Sequence, residues 1–119
     1  MRQLHVHTWG DERAPAVVCL HGVTSWGGHF ASLAQALARD YRVLAPDLLG
    51  HGASPREPPW RLDDHLDAVE VALGDAPRAW IGHSFGGRLA FEHAARRPGS
   101  VDALVLLDPA ILLPPHVAL

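Results

Sequence analysis

Lysine is absent from this sequence and cysteine occurs once. The ten basic residues are all arginine, scattered along 119 residues with no cluster that would track a phosphate backbone. A nucleic-acid partner is therefore not expected. The single Cys19 excludes an internal disulfide. Its neighbours Ala16, Val17, Val18 and Leu20 predict a buried thiol, with nothing cationic beside it to make it reactive. No apolar run approaches the roughly 20 residues needed to cross a bilayer. Residues 1–9 alternate and lack the apolar core of a secretory signal, so the expectation is a cytoplasmic protein with no membrane partner.

What is present fits one folded domain. Hydrophobic residues make up 48% and charged residues 19%, which separates the chain from disordered sequences. A net charge of −3 is too modest to define a partner. A chain of this size can bury roughly two thirds of its unfolded surface, enough for a true core. There is no internal repeat and no low-complexity stretch.

Short apolar runs alternate with helix-period segments. Residues 4–9 alternate as a half-buried strand does, and residues 10–15 are polar and hairpin-like. Residues 16–20, 42–45, 79–82 and 104–107 are continuous apolar runs, the pattern of strands covered on both faces. Phe30, Leu33 and Leu37 recur at helical spacing. Leu62, Leu66, Val69 and Leu73 form one helical stripe stopped by Gly74, and residues 84–97 read as a helix closed by Pro98-Gly99. This alternation predicts an α/β fold with a mostly parallel sheet. In such sheets ligands bind beyond the carboxyl ends of the strands, here at His21-Gly22, residues 47–52, Ser84 and Asp108.

The strongest chemical signal is Gly82-His83-Ser84-Phe85-Gly86-Gly87, a G-x-S-x-G between a strand and a helix. The pattern would arise by chance in about one such chain in 25, so the strand–turn–helix context carries the argument. A serine at so sharp a turn needs small neighbours, which Gly82 and Gly86 supply. The turn would lift the Ser84 hydroxyl over the sheet at the positive end of the next helix. Acyl transfer also needs two backbone N–H groups aimed at a developing oxyanion. Phe85, just after the serine, is one candidate donor. Val23, after His21-Gly22, is the other, with Thr24 as second choice.

Three strings together, Cys19-Leu20-His21-Gly22, Asp47-Leu48-Leu49-Gly50-His51-Gly52-Ala53-Ser54 and Gly82-His83-Ser84-Phe85-Gly86-Gly87, resemble the α/β-hydrolase superfamily in order and separation. The likeness spans essentially the whole chain and points to the serine-nucleophile, esterase- or lipase-like branch. It implies a sheet of about five strands with helices on both faces and one open edge. It implies Ser84 as nucleophile, a small-molecule ester or related acyl substrate, and no cofactor. By the same likeness residues 47–54 shape the site, and neither Asp47 nor His51 is catalytic. Dehalogenase and epoxide-hydrolase branches carry Asp at the elbow, so Ser84 argues against them.

Members of that superfamily complete a triad with an acid and then a histidine far downstream. Only 35 residues follow Ser84, so residues 1–119 are expected to be a partial domain lacking the cap, the last strands and the general base. Within it, Asp108 is a secondary candidate for the acid, and His116 is the only histidine after it. His83 is expected to pack beside the turn, and His5, His7, His29, His65 and His93 to lie at the surface or core edge. His5 and His7 would share a strand face, but no third ligand is evident in the sequence and no metal site is expected. Leu48, Leu49, Trp26, Ile111 and Leu112 suggest an apolar cavity. The segment alone is expected to be nearly inactive and to self-associate through its open edge. The competing readings are a non-enzymatic binding or assembly module, and half of a split hydrolase completed by a partner.

Overall fold

The computed structural model describes residues 2–58 and 60–111. Strand β1 (Val6–Trp9) is followed by β2 (Ala16–Leu20), a 3-10 turn (Gly27–Phe30) running into α1 (Ala31–Leu37), and β3 (Arg42–Pro46). Then come α2 (Leu62–Leu73), β4 (Ala79–His83), α3 (Phe85–Arg96) and β5 (Ala103–Leu107). The five strands form one sheet in the order β1-β3-β2-β4-β5. All neighbours pair in parallel except β1, which runs antiparallel to β3.

The two faces explain the continuous apolar runs. Successive side chains of a strand point to opposite faces, so a strand covered on both sides has no polar positions to alternate. Val18, Leu20, Leu44 and Trp80 pack with Leu66, Val69 and Leu73 of α2 and Leu89 of α3. On the other face, Cys19, Val43 and Ala45 pack with Phe30 and Ala34. Trp80 is 1% exposed and Val18, Leu20 and Leu89 are fully buried. Each such side chain contributes about 1.5–3 kcal/mol of burial. Helix α2 keeps the stripe that its sequence predicts. It opens with the Arg61 N–H donating to the Asp64 carboxylate at 2.9 Å and stops at Gly74, whose φ of 67° suits glycine.

Four expectations need correction. Residues 10–15 do not close a hairpin, because β3 lies between β1 and β2 in the sheet. The helical stripe near residue 30 is Phe30, Ala34 and Leu37 rather than Phe30, Leu33 and Leu37. Leu33 is exposed, since the three-residue turn of the 3-10 segment shifts the phase of α1. Among the described residues strand β5 is covered on one face only: Leu104 and Leu106 pack toward the α2/α3 core, while Ala103, Val105 and Leu107 are exposed. His65 and His93 are buried, not at the surface.

Candidate active site

The turn between β4 and α3 holds Ser84 at φ 53° and ψ −115°, a conformation costly for a residue with a side chain. Such strain runs to about 1–3 kcal/mol and persists only where surrounding structure enforces it. Here three hydrogen bonds do so. The Ser84 N–H donates to the Leu107 carbonyl at 3.0 Å, and its own carbonyl accepts from the Arg88 and Ala110 N–H groups at 3.1 and 3.0 Å. The flanking glycines are steric necessities. A Cβ on Gly82 would collide with the Gly86 carbonyl and the Gly87 Cα, and one on Gly86 would strike the Leu20 and His21 carbonyls. Sequence reading missed Gly87. A Cβ there would lie 2.9 Å from that of Pro109, so the start of α3 also packs on the segment after β5.

The loop after β2 passes directly beside the serine. A Cβ on Gly22 would sit 3.3 Å from the Ser84 Cβ and 3.4 Å from Nδ1 of His83. A side chain at position 22 would thus crowd the serine turn. Two imidazoles hold this loop. His21, 1% exposed, donates from Nδ1 to the Gly22 carbonyl at 2.7 Å and accepts the Leu48 N–H on Nε2 at 3.0 Å. His51 donates from Nδ1 to the Leu49 carbonyl at 2.9 Å and accepts the Thr24 N–H on Nε2 at 3.1 Å. The rings lie 5.0 Å apart. Burial pushes the His21 imidazole down to about 4, which keeps Nε2 free to accept. Thr24 is itself left-handed at φ 66°. Among the described residues neither the Val23 nor the Phe85 N–H meets an acceptor. Phe85 opens α3, where a helix leaves its first N–H groups unpaired.

Asp47 braces the underside of the site. It is 1% exposed and takes hydrogen bonds from Gly27 N–H at 2.7 Å, Ala53 N–H at 2.9 Å and Nε2 of His7 at 2.9 Å. Its carbonyl accepts the Ser54 hydroxyl, which in turn accepts the His5 N–H at 2.9 Å. These three hydrogen bonds anchor the buried carboxylate. His5 and His7 prove to have an acidic neighbour, Asp47, which the strand pairing brings from 40 residues away. No local spacing could have signalled it.

The remaining predicted residues separate cleanly. His83 ends β4 and is exposed at the serine turn. Asp108 follows β5 at φ 48°, exposed, and no described histidine bonds to it. His29 is exposed and meets the Ser25 hydroxyl at 2.6 Å. His116 and Leu112 lie outside the described residues. Leu48 and Leu49 are both buried in the core, whereas Trp26 is half exposed beside His7. Cys19 is fully buried, and desolvation pushes its thiol up to about 12. His93 bonds Glu70 at 2.7 Å and stacks on Trp80. His65 meets Phe85 edge-on and has no hydrogen-bond partner on either ring nitrogen among the described residues. Both histidines continue the apolar stripes of their helices, a signal that their polarity masked. Among the described residues no histidine bonds the Ser84 hydroxyl.

A parallel sheet with a strained strand–turn–helix serine at the carboxyl ends of its strands is the core of one large class of hydrolases. A family model described as the alpha/beta hydrolase fold matches residues 15–119, and the chain belongs to that family. Lipase LipV of Mycobacterium tuberculosis is 46% identical over 92% of this chain and 43% of its own length. A pimeloyl-[acyl-carrier protein] methyl ester esterase of Methylococcus capsulatus is 38% identical over 87% of this chain and 40% of its own. Among solved structures, a thioesterase domain from the curacin biosynthetic pathway superposes with a TM-score of 0.85 at 31% identity, covering 91% of this chain and 43% of that one. The chain thus spans about two fifths of the length of these relatives. No helix among the described residues is long and apolar enough to cross a membrane.

Proposed function

We propose that Ser84 is the nucleophile of a serine hydrolase that cleaves an ester or closely related acyl bond through an acyl-enzyme. The observation that carries this reading is the strained Ser84, fixed by Leu107 and Ala110 at the start of α3, with Gly22 of the loop after β2 beside it. The names of the relatives, a lipase, a methyl ester esterase and a thioesterase, favour an acyl substrate over other chemistries of this fold.

In the reaction, Ser84 Oγ adds to the substrate carbonyl carbon and gives its proton to a general base. The carbonyl oxygen becomes an oxyanion, held by the Val23 and Phe85 N–H groups. Collapse expels the leaving group, which takes the proton, and leaves an ester on Ser84. Water then repeats the sequence, releasing the acid and restoring the hydroxyl. The positive end of α3 adds to oxyanion stabilisation. His21 and His51 act before chemistry, by fixing the loop that carries Val23.

On this reading the general base and its acid partner lie outside residues 1–119; the chain covers 43% of the length of Lipase LipV. Loss of the histidine in comparable triads costs about 10⁶ in turnover, so these residues alone should be nearly inactive. Expressed alone they should also self-associate: β5 ends the sheet among the described residues, and Val105 and Leu107 are 47% and 43% exposed. A monodisperse, cooperatively melting monomer in sedimentation would refute the self-association.

The test is intact mass after treatment with a fluorophosphonate, on the protein carrying this segment and on its Ser84→Ala variant. One adduct on the parent and none on a folded variant supports the reading. Equal labelling of both, or no adduct on a folded and otherwise active parent, overturns it.

A further inference from the structure

We propose that His5, His7 and Asp47 form a binding site for one divalent transition-metal ion of the zinc class, separate from the acyl-transfer residues. The three side chains each offer one ligand atom, and all three atoms lie within 4.8 Å of one another. In a tetrahedral zinc site the ligand atoms are about 3.3 Å apart, given bonds near 2.0–2.1 Å. His7 Nε2 and Asp47 Oδ1 are already at 2.9 Å. The remaining adjustment falls on His5, which is exposed and whose ring is packed edge-on against His7 with centroids 4.6 Å apart.

The backbone of this cluster is fixed before any ion arrives. His5 immediately precedes β1 and His7 lies two residues on within it, in an extended run that puts both on one face. The Asp47 N–H donates to the His5 carbonyl at 2.8 Å, and the His5 N–H donates to Ser54. These bonds set Asp47 directly across the ladder from His5. The carboxylate is oriented by the Gly27 and Ala53 N–H groups, and the His7 ring is confined between Trp9 and Trp26. Such outer contacts are what hold metal ligands in place and raise affinity.

Two imidazoles and one carboxylate suit a borderline ion such as Zn²⁺ or Co²⁺ better than Ca²⁺ or Mg²⁺, which prefer oxygen ligands throughout. Three protein ligands leave a fourth position for water. On binding, His7 presents a ring lone pair and the proton it shares with Asp47 moves to the other ring nitrogen, so the pair takes up the ion without a net change in the carboxylate. The alternative, a plain His7–Asp47 hydrogen bond with His5 merely adjacent, leaves that pair intact when His5 is removed. His5→Ala is thus the discriminating variant: it spares the buried carboxylate network.

The experiment is calorimetric titration of Zn²⁺ into the chelator-treated parent and His5→Ala proteins, with Co²⁺ absorption and thermal melting alongside. The expected result is one Zn²⁺ per parent chain at micromolar affinity or tighter, at least about tenfold weaker binding by the variant, and a melting rise confined to the parent. A Co²⁺ visible band should be lost in His5→Ala. Absence of one-to-one binding by the folded parent overturns the site. Equal binding by parent and variant overturns it too, because the ion is then held by other histidines. Neither result depends on the role of Ser84.

Discussion

The Thr24 N–H donates to Nε2 of His51 at 3.1 Å, tying the left-handed turn after β2 to the loop after β3. Removing that acceptor frees the segment that carries the Val23 N–H. His51→Ala should lower kcat/KM by about tenfold to a hundredfold, mostly through kcat, since small displacements of a positioned donor are costly. Because His51 is only half-buried, the melting temperature should move by no more than a few degrees. Steady-state kinetics and a thermal melt on the same preparation check both halves. A variant that loses stability in step with activity would show His51 to be a fold residue only.

Gly86→Ala should be among the most damaging small substitutions in the chain. Its methyl group would meet the Leu20 and His21 carbonyls, which belong to β2 and its loop and have nowhere to move. A cost of about 2–4 kcal/mol is expected, with α3 pushed off the sheet. Gly74→Ala serves as the control. There a Cβ meets nothing within 4 Å, and only the positive φ of 67° opposes it. Denaturant unfolding of the two variants should therefore separate collision from backbone strain.

Stability should fall with acid over a defined window. His21 and His65 are both pushed down to about 4, in each case chiefly by burial, from an ordinary 6.5. Between those values the unfolded chain binds more protons than the folded one, so stability rises with pH. The contribution is complete above pH 6.5 and is lost as pH falls towards 4. Each group accounts for up to a contribution on the order of 3 kcal/mol. His65→Leu removes one of the two, and also removes two buried nitrogens that have no partner among the described residues. It should raise the melting temperature at pH 5 more than at pH 8. An equal shift at both values would show that His65 does not titrate in this window.

Glu70 joins α2 to α3. Its carboxylate accepts from His93 Nδ1 at 2.7 Å and from Arg97 Nε at 3.0 Å, and Arg96 lies 3.9 Å away. Both Glu70 and His93 side chains are at most 10% exposed, so this pair is more than surface decoration. Glu70→Ala should cost about 2–3 kcal/mol by leaving the buried His93 Nδ1–H without its acceptor, and Glu70→Gln less, because the amide oxygen still accepts. Arg78→Ala, which breaks the exposed pair with Asp102, should cost less than either. Chemical denaturation of the three variants orders them.

Local chemistry determined much of this protein in advance. The sharp turn from strand to serine to helix needs glycine at 82 and 86, because a Cβ at either position has no room. The continuous runs in β2, β3 and β4 announced strands covered on both faces, and the Leu62–Leu73 stripe announced α2. Those features depend on neighbours a few residues apart, and so they are written in spacing. What joins distant segments was decided by the tertiary structure. The insertion of β3 between β1 and β2 turned an expected hairpin into an antiparallel edge. The same pairing carried Asp47 to His5 and His7, and His51 to Thr24. The one-sided cover of β5 likewise follows from where α3 docks, not from the composition of the strand. Hydrogen bonds across 27 or 40 residues leave no period in the sequence; they exist only once the sheet order is set.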